Sequence, residues 1–365
     1  MRAIVYSGPN EIALRDDVSF KDPLGSGQVR VQIVNAGLCH SDVSLIDGTI
    51  PYPTPAVMGH EGAGVVTEVG SEVTHVEAGD HVVLTTLTSC GLCPACADGR
   101  PVLCKKSNRL ARTLVVGEDE AYNFANCSVW AEEAVVNAVQ AVNIPRDVPF
   151  TTACLVGCGV LTGVGAVLNR AQVRPGDAVA VIGVGGIGLS VVQGARLSNA
   201  SRIVAIDTNP AKEEIARRFG ATDFVNPADL PDGTDVVAAV RALDGLGDGV
   251  DHAFECVGAP ALIRNAVDLL DWGGQAVLLG VPKLGTEALF VVQSLYHDKS
   301  ILGCRYGSSS PQRDIPLLIE MYREGKLLLD ELVTSTYALA DIGTALSELA
   351  DGKLARGVLE VTPAP

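Results

Sequence analysis

Residues 178–207 read AVAVIGVGGIGLSVVQGARLSNASRIVAID, and this stretch limits the fold more than any other. The run AVAVIG has no polar residue to turn toward water, which predicts a strand covered on both faces. GVGGIG (183–188) then fits G-x-G-x-x-G, and it follows a strand and opens a helix. A second apolar run, RIVAID, ends in an acid 24 positions after the first glycine. A lone glycine pattern is weak and is often only a tight corner. Strand, glycine turn, helix, strand and acid together are the setting a dinucleotide site requires. There Gly183 permits the turn and Gly185 lets backbone N–H groups approach a pyrophosphate at the helix N-terminus. Val184, Gly186 and Ile187 complete the loop, and Gly188 allows close helix packing. Asp207 would accept hydrogen bonds from the adenosine ribose hydroxyls and repel a 2′-phosphate, which favours NAD over NADP.

The same rhythm continues beyond this unit. PAKEEIARRFG reads as a helix with Pro210 near its start and Gly220 at its end, and DFVNP, VDHAFECVG and GGQAVLLGV supply further strands. Alternating apolar strands and helices predict a doubly wound parallel sheet. Before about residue 160 the pattern differs. Short β-rich runs such as QVRVQIVNAG, GAGVVTEVG and DHVVLT alternate with turns, which predicts an irregular β-rich domain. A chain of 365 residues is long enough for two cores. The fold class is therefore α/β, with a β-rich domain joined to a doubly wound one.

Charge narrows the partners. A net charge of −16 would repel a phosphate backbone, so nucleic acid is an unsuitable partner. No apolar run reaches the length of a membrane span, and the start lacks the regions of a signal peptide, so the expectation is a cytoplasmic protein without a membrane role. In a reducing compartment cysteines serve as thiols or metal ligands more often than as disulfides.

Four of the ten cysteines crowd into CGLCPACADGRPVLC, residues 90–104. Cys90, Cys93, Cys96 and Cys104 form C-x2-C-x2-C-x7-C, and four thiolates from one loop can close a tetrahedron around zinc with no position left for water. Free thiols, a redox pair and an iron–sulfur cluster are the alternatives. A closed zinc site is scaffolding, so chemistry needs an open one. Cys39 and His40 in AGLCHSD, His60 and Glu61 in GHEGAG, and Cys158 in LVGCGVLTG are candidate ligands outside that loop, and a Cys2His set leaves zinc a free place.

GHEGAGVVTEVG, the four-cysteine loop, CGVLTG and GVGGIG with Asp207 occur in the order found in zinc-dependent medium-chain alcohol dehydrogenases, and the resemblance covers essentially the whole chain. It implies a GroES-like catalytic domain from residues 1–159 and 306–365 and a Rossmann NAD-binding domain from 160–305. It also implies two zinc ions per chain, a catalytic one on Cys39, His60 and Cys158 with Glu61 as a transient ligand, and a structural one on the cysteine loop. By the same resemblance Asp42 orients His60, and Ser41 receives the substrate proton. Ser44 stands where several members carry a histidine that completes the relay. His40 and Arg356 match basic residues beside the pyrophosphate, Lys212 a base near the adenosine ribose, and Val281 a wall of the nicotinamide pocket. Thr86 replaces a bulky aromatic, which implies a roomier substrate pocket.

The implied reaction interconverts an alcohol and an aldehyde or ketone by hydride transfer. Ionising an alcohol of pKa about 16 at neutral pH costs roughly 12 kcal/mol, which is why the chemistry needs a Lewis acid. The expected substrate is a primary alcohol, with aromatic and allylic ones among the candidates. Oxidation of a thiol adduct of formaldehyde, a nicotinoprotein that keeps its NAD, and a non-catalytic redox sensor are the other readings. A homo-oligomer, dimer or tetramer, is expected.

Overall fold

The computed structural model describes residues 1–364. The chain divides into two compact units, one formed by Met1–Leu161 with Ser310 onward, the other by Thr162–Ser309.

The first unit is built on two sheets, one of six strands and one of seven. In the larger, the long strand Gln28–Gly37 pairs antiparallel with Gly62–Val69 on one side. On its other side it takes the late strand Arg356–Glu360, with Val358 opposite Gly37. The next strand, Val333–Ala338, pairs parallel with that late strand. Residues separated by most of the chain thus meet at one end of the sheet. Beneath lies a core of Ile33, Met58, Leu84 and Trp130, all fully buried. Trp130 donates its indole N–H to the Gly37 carbonyl at 3.2 Å, so the largest core side chain leaves no unpaired donor.

The second unit is a six-stranded sheet in the order Asp223–Val225, Arg202–Ile206, Ala178–Ile182, Val250–Glu255, Leu270–Leu278, Ser300–Gly303. All of its strand pairs are parallel. Every residue of Ala178–Ile182 is buried, as expected of a central strand covered on both faces. The strand order reverses beside Ala178–Ile182, and open α/β sheets bind ligands beyond the carboxyl ends at that reversal.

Among the described residues no single helix is long and apolar enough to cross a membrane. The helix expected in PAKEEIARRFG spans Lys212–Phe219, and Gly220 ends it at φ 121°, a conformation that glycine adopts without strain. RDIPLLIEMYREGKL forms Pro311–Arg323, and the C-terminal strand, helix and strand are Val333–Ala338, Ile342–Ala350 and Arg356–Glu360.

Candidate active site

Cys39 ends an extended segment and caps the helix His40–Ile46. Three residues on, the fully buried Asp42 turns back, and its Oδ2 accepts the Cys39 backbone N–H at 3.0 Å. Its other oxygen lies 3.0 Å from Nδ1 of His60. One carboxylate therefore satisfies the helix start and holds the imidazole, leaving Nε2 free to bind a metal. His60 and Glu61 immediately precede the strand Gly62–Val69, and the Phe124 ring meets the His60 ring edge-on at 5.4 Å.

Cys158 arrives from another direction. It lies between the short helical segments Cys154–Gly157 and Gly159–Gly165. A side chain at Gly157 would come within 2.1 Å of the Leu84 carbonyl, so only glycine lets this segment lie against the end of His81–Leu84. The Gly159 N–H donates to Glu61 Oε1 at 3.0 Å, and Arg356 pairs with Glu61 Oε2. Ligand atoms of Cys39, His60, Glu61 and Cys158 all lie within 4.8 Å of one another, and all four residues are buried.

The electrostatics of the cluster suit a cation. A hydrogen bond from Cys158 and the neighbouring His60 drive the Cys39 thiol well down, although burial opposes them. The same bond and burial push Cys158 well up. Burial alone would lower His60, but the Asp42 carboxylate and Cys39 outweigh it and raise the imidazole to about 10. A divalent cation would displace the protons on Cys158 and His60 and neutralise the buried negative groups. The donor set thus fits zinc with a place left for substrate.

The second cluster is of a different kind. Cys90, Cys93, Cys96 and Cys104 also have their sulfurs within 4.8 Å of one another, with Cys93 and Cys96 at 3.5 Å. A tetrahedral site with Zn–S of about 2.3 Å has sulfur–sulfur edges of about 3.8 Å. Among the described residues no cysteine is in a disulfide. The Leu92 and Cys93 amides pull Cys90 down to about 6, whereas burial and the Cys93 sulfur raise Cys96 to about 11. Four thiolates this close repel one another unless a cation sits among them.

In the second unit Gly183 takes φ 87°, and a side chain at Gly188 would meet the Gly183 carbonyl at 2.0 Å. Gly185 caps the helix Gly186–Leu197 with nothing within 4 Å of where a side chain would begin. Open space at a helix N-terminus, flanked by free N–H groups, is a cradle for a pyrophosphate. Asp207 accepts the Val184 N–H at 2.8 Å and faces Lys212 Nζ at 2.9 Å.

The chain matches the alcohol dehydrogenase GroES-like domain family over residues 25–146 and the zinc-binding dehydrogenase family over residues 186–324. It is 39% identical over 348 residues to an S-(hydroxymethyl)glutathione dehydrogenase of Synechocystis sp., covering 92% of this chain and 93% of the relative. The chain belongs to the zinc-dependent medium-chain alcohol dehydrogenase family. Among solved structures, an alcohol dehydrogenase zinc-binding domain protein from Burkholderia ambifaria matches with TM-score 0.92 and 35% identity, covering 99% of both chains. Benzyl alcohol dehydrogenase from Acinetobacter calcoaceticus matches with TM-score 0.90 and 33% identity, again over 99% of both. This dehydrogenase chain is an oxidoreductase of an NAD(P)-binding family. Its two sulfur clusters fit the catalytic and structural zinc ions.

The residues singled out from sequence fall into three groups. Cys39, Asp42, His60, Glu61 and Cys158 converge, and Ser41 Oγ lies 3.8 Å from Cys39 Sγ. Arg356 is 4% exposed and paired with Glu61, with its Nε lacking a hydrogen-bond partner. His40 and Val281 are exposed. Phe124 and the Gly159 amide were not foreseen, because each acts only through a neighbour that folding supplies. Thr86 is 4% exposed, and its hydroxyl has no partner.

Proposed function

We propose that this dehydrogenase oxidises a primary alcohol with NAD, using Cys39, His60 and Cys158 to hold the catalytic zinc. The convergence of those three side chains with Glu61 within 4.8 Å carries the reading. When bound, zinc supplies the Lewis acidity that makes a hydroxyl easy to ionise, and NAD accepts the hydride. The substrate then loses a hydride from carbon and a proton from oxygen.

The chain's residues handle orientation and the proton. Asp42 fixes the His60 tautomer with Nδ1–H toward its carboxylate. Ser41, half-buried beside Cys39, accepts a hydrogen bond from the substrate hydroxyl and passes the proton outward. Ser44 replaces the usual histidine, so water or the cofactor ribose completes the path. Gly183, Val184, Gly185, Gly186, Ile187 and Gly188 hold the pyrophosphate, Asp207 takes the ribose with Lys212 at its side, and Val281 flanks the nicotinamide. His40 donates a ring N–H to the cofactor phosphates, and Arg356 reaches them only by exchanging its buried pairing with Glu61. The chain works as a homo-oligomer in the cytoplasm.

Two substrate classes are favoured by different observations. An aromatic alcohol is supported by likeness to the benzyl alcohol dehydrogenase and by the small Thr86, whose hydroxyl is unpaired. A thiol adduct of formaldehyde is supported by the relative named S-(hydroxymethyl)glutathione dehydrogenase. Zinc-loaded protein assayed for NADH formation with benzyl alcohol, and separately with formaldehyde plus glutathione, distinguishes them. A parallel assay with an artificial electron acceptor detects NAD that is never released. Absence of turnover in all three sinks the reading.

A further inference from the structure

Val250–Glu255 lies beside Ala178–Ile182 on the side away from Arg202–Ile206, so its carboxyl end falls where the strand order reverses. Its last residue, Glu255, is in register with Ile182, which precedes the glycine loop. Ala253, Phe254 and Glu255 are all wholly buried. A carboxyl group at the end of an apolar strand is costly to bury, so its partners are informative. Glu255 Oε1 accepts the Val257 N–H at 2.9 Å and the Gly258 N–H at 2.8 Å. Its backbone carbonyl accepts the N–H groups of Leu279 and Gly280 at 2.8 and 3.0 Å. Burial pushes the side-chain carboxyl above the ordinary carboxylate range, against the opposing pull of the Gly258 and Val257 amides.

The turn that Glu255 holds is locked to its neighbours. Gly258 adopts φ 90°, and a Cβ there would come within 2.9 Å of the Val281 carbonyl carbon. A Cβ at Gly280 would collide with the Gly258 nitrogen, so the two loops touch backbone to backbone. A Cβ at Gly183 would collide with Val257 Cγ2, which sets that valine against the first glycine of the phosphate loop. Val257 and Val281 are 50% and 58% exposed, two apolar side chains standing at the ligand-binding edge of the sheet. With the adenosine ribose assigned to Asp207, on one side of the glycine loop, the other end of the dinucleotide runs across Val250–Glu255 and over these valines.

We propose that Glu255 is a positioning residue for the nicotinamide half of NAD: by holding the Val257 and Gly258 amides, it sets Val257 and Val281 as the apolar floor under the ring. This role rests on the assignment of NAD as the cofactor, and it separates the two halves of that molecule. A neutral carboxyl and a carboxamide offer the two amides the same acceptor, whereas leucine offers none.

Full-length, zinc-loaded wild type, Glu255→Gln and Glu255→Leu are titrated with NADH, read by the fluorescence of its reduced ring. The same proteins are titrated by calorimetry with ADP-ribose, which lacks the ring. The dissociation constant for NADH should rise about tenfold in Glu255→Leu, while that for ADP-ribose stays within about twofold of wild type. Glu255→Gln should match wild type with both ligands. Glu255→Asp, too short to reach both amides, should show the same split, and it replaces Glu255→Leu if a melting curve shows that variant unfolded. Unaltered NADH affinity in the folded Leu or Asp variant, equal weakening of NADH and ADP-ribose, or a Glu255→Gln protein as impaired as Glu255→Leu would each overturn the proposal. Wild-type protein that binds neither ligand would instead overturn the assignment of NAD, and this role with it.

Discussion

Arg356 and Glu61 form a buried ion pair although 295 positions separate them in the chain. Both are at most 5% exposed at the side chain, so each charge depends on the other. Removing one partner of such a pair leaves an uncompensated charge and costs about 3–5 kcal/mol, whereas replacing both is far milder. Arg356→Met should therefore lower unfolding free energy by about 3 kcal/mol. The double variant with Glu61→Gln should be more stable than the sum of the single changes predicts. Urea denaturation of metal-free protein measures the cycle, and strict additivity would show that the pair does not couple.

Asp42 touches no substrate yet holds the ligand histidine. Asp42→Asn should weaken zinc binding at the Cys39 site by about 10- to 100-fold. The four-cysteine loop should keep its own ion. Metal content after graded chelation reports this as the loss of one zinc at lower chelator concentration, and simultaneous loss of both would contradict the separation of the sites.

The two sulfur clusters should respond differently to the same substitution. Cys158→Ala should abolish turnover with little change in melting temperature, because the pocket keeps its packing. Cys96→Ala should lower stability first, since zinc binding to such a loop contributes on the order of 10 kcal/mol. A Cys96→Ala protein that melts normally and has lost only activity would place the catalytic ion in the loop.

Asp207 holds the glycine turn through the Val184 N–H and pairs with Lys212. Asp207→Gly removes the group that repels a 2′-phosphate and frees the lysine to attract one. The ratio of kcat/KM for NADP over NAD should rise by about tenfold or more, a change of about 1.4 kcal/mol in relative transition-state binding. Unaltered cofactor kinetics would remove Asp207 from the ribose site.

The doubly wound unit was legible because its signals are local. Apolar strand runs, the Gly183 turn and the acid at Asp207 all follow from neighbours in sequence. The Cys90 cluster was legible for the same reason, since its ligands lie on one loop. Cys39, His60 and Cys158 are three unremarkable residues until an antiparallel sheet and a glycine-lined segment bring them together. Their grouping rested on resemblance, and periodicity alone would have missed it. The Arg356–Glu61 pair was not foreseen, because it depends on the register of Val358 against Gly37, which no local pattern specifies.

The late strand Arg356–Glu360 adds a temporal consequence. During translation, every strand of the nucleotide-binding sheet has left the ribosome before this segment is made, and so have all the zinc-binding cysteines. A nascent chain can therefore finish the cofactor-binding half while Glu61 still lacks its counter-charge. The metal pocket gains its buried counter-charge only when this strand docks beside Gln28–Gly37.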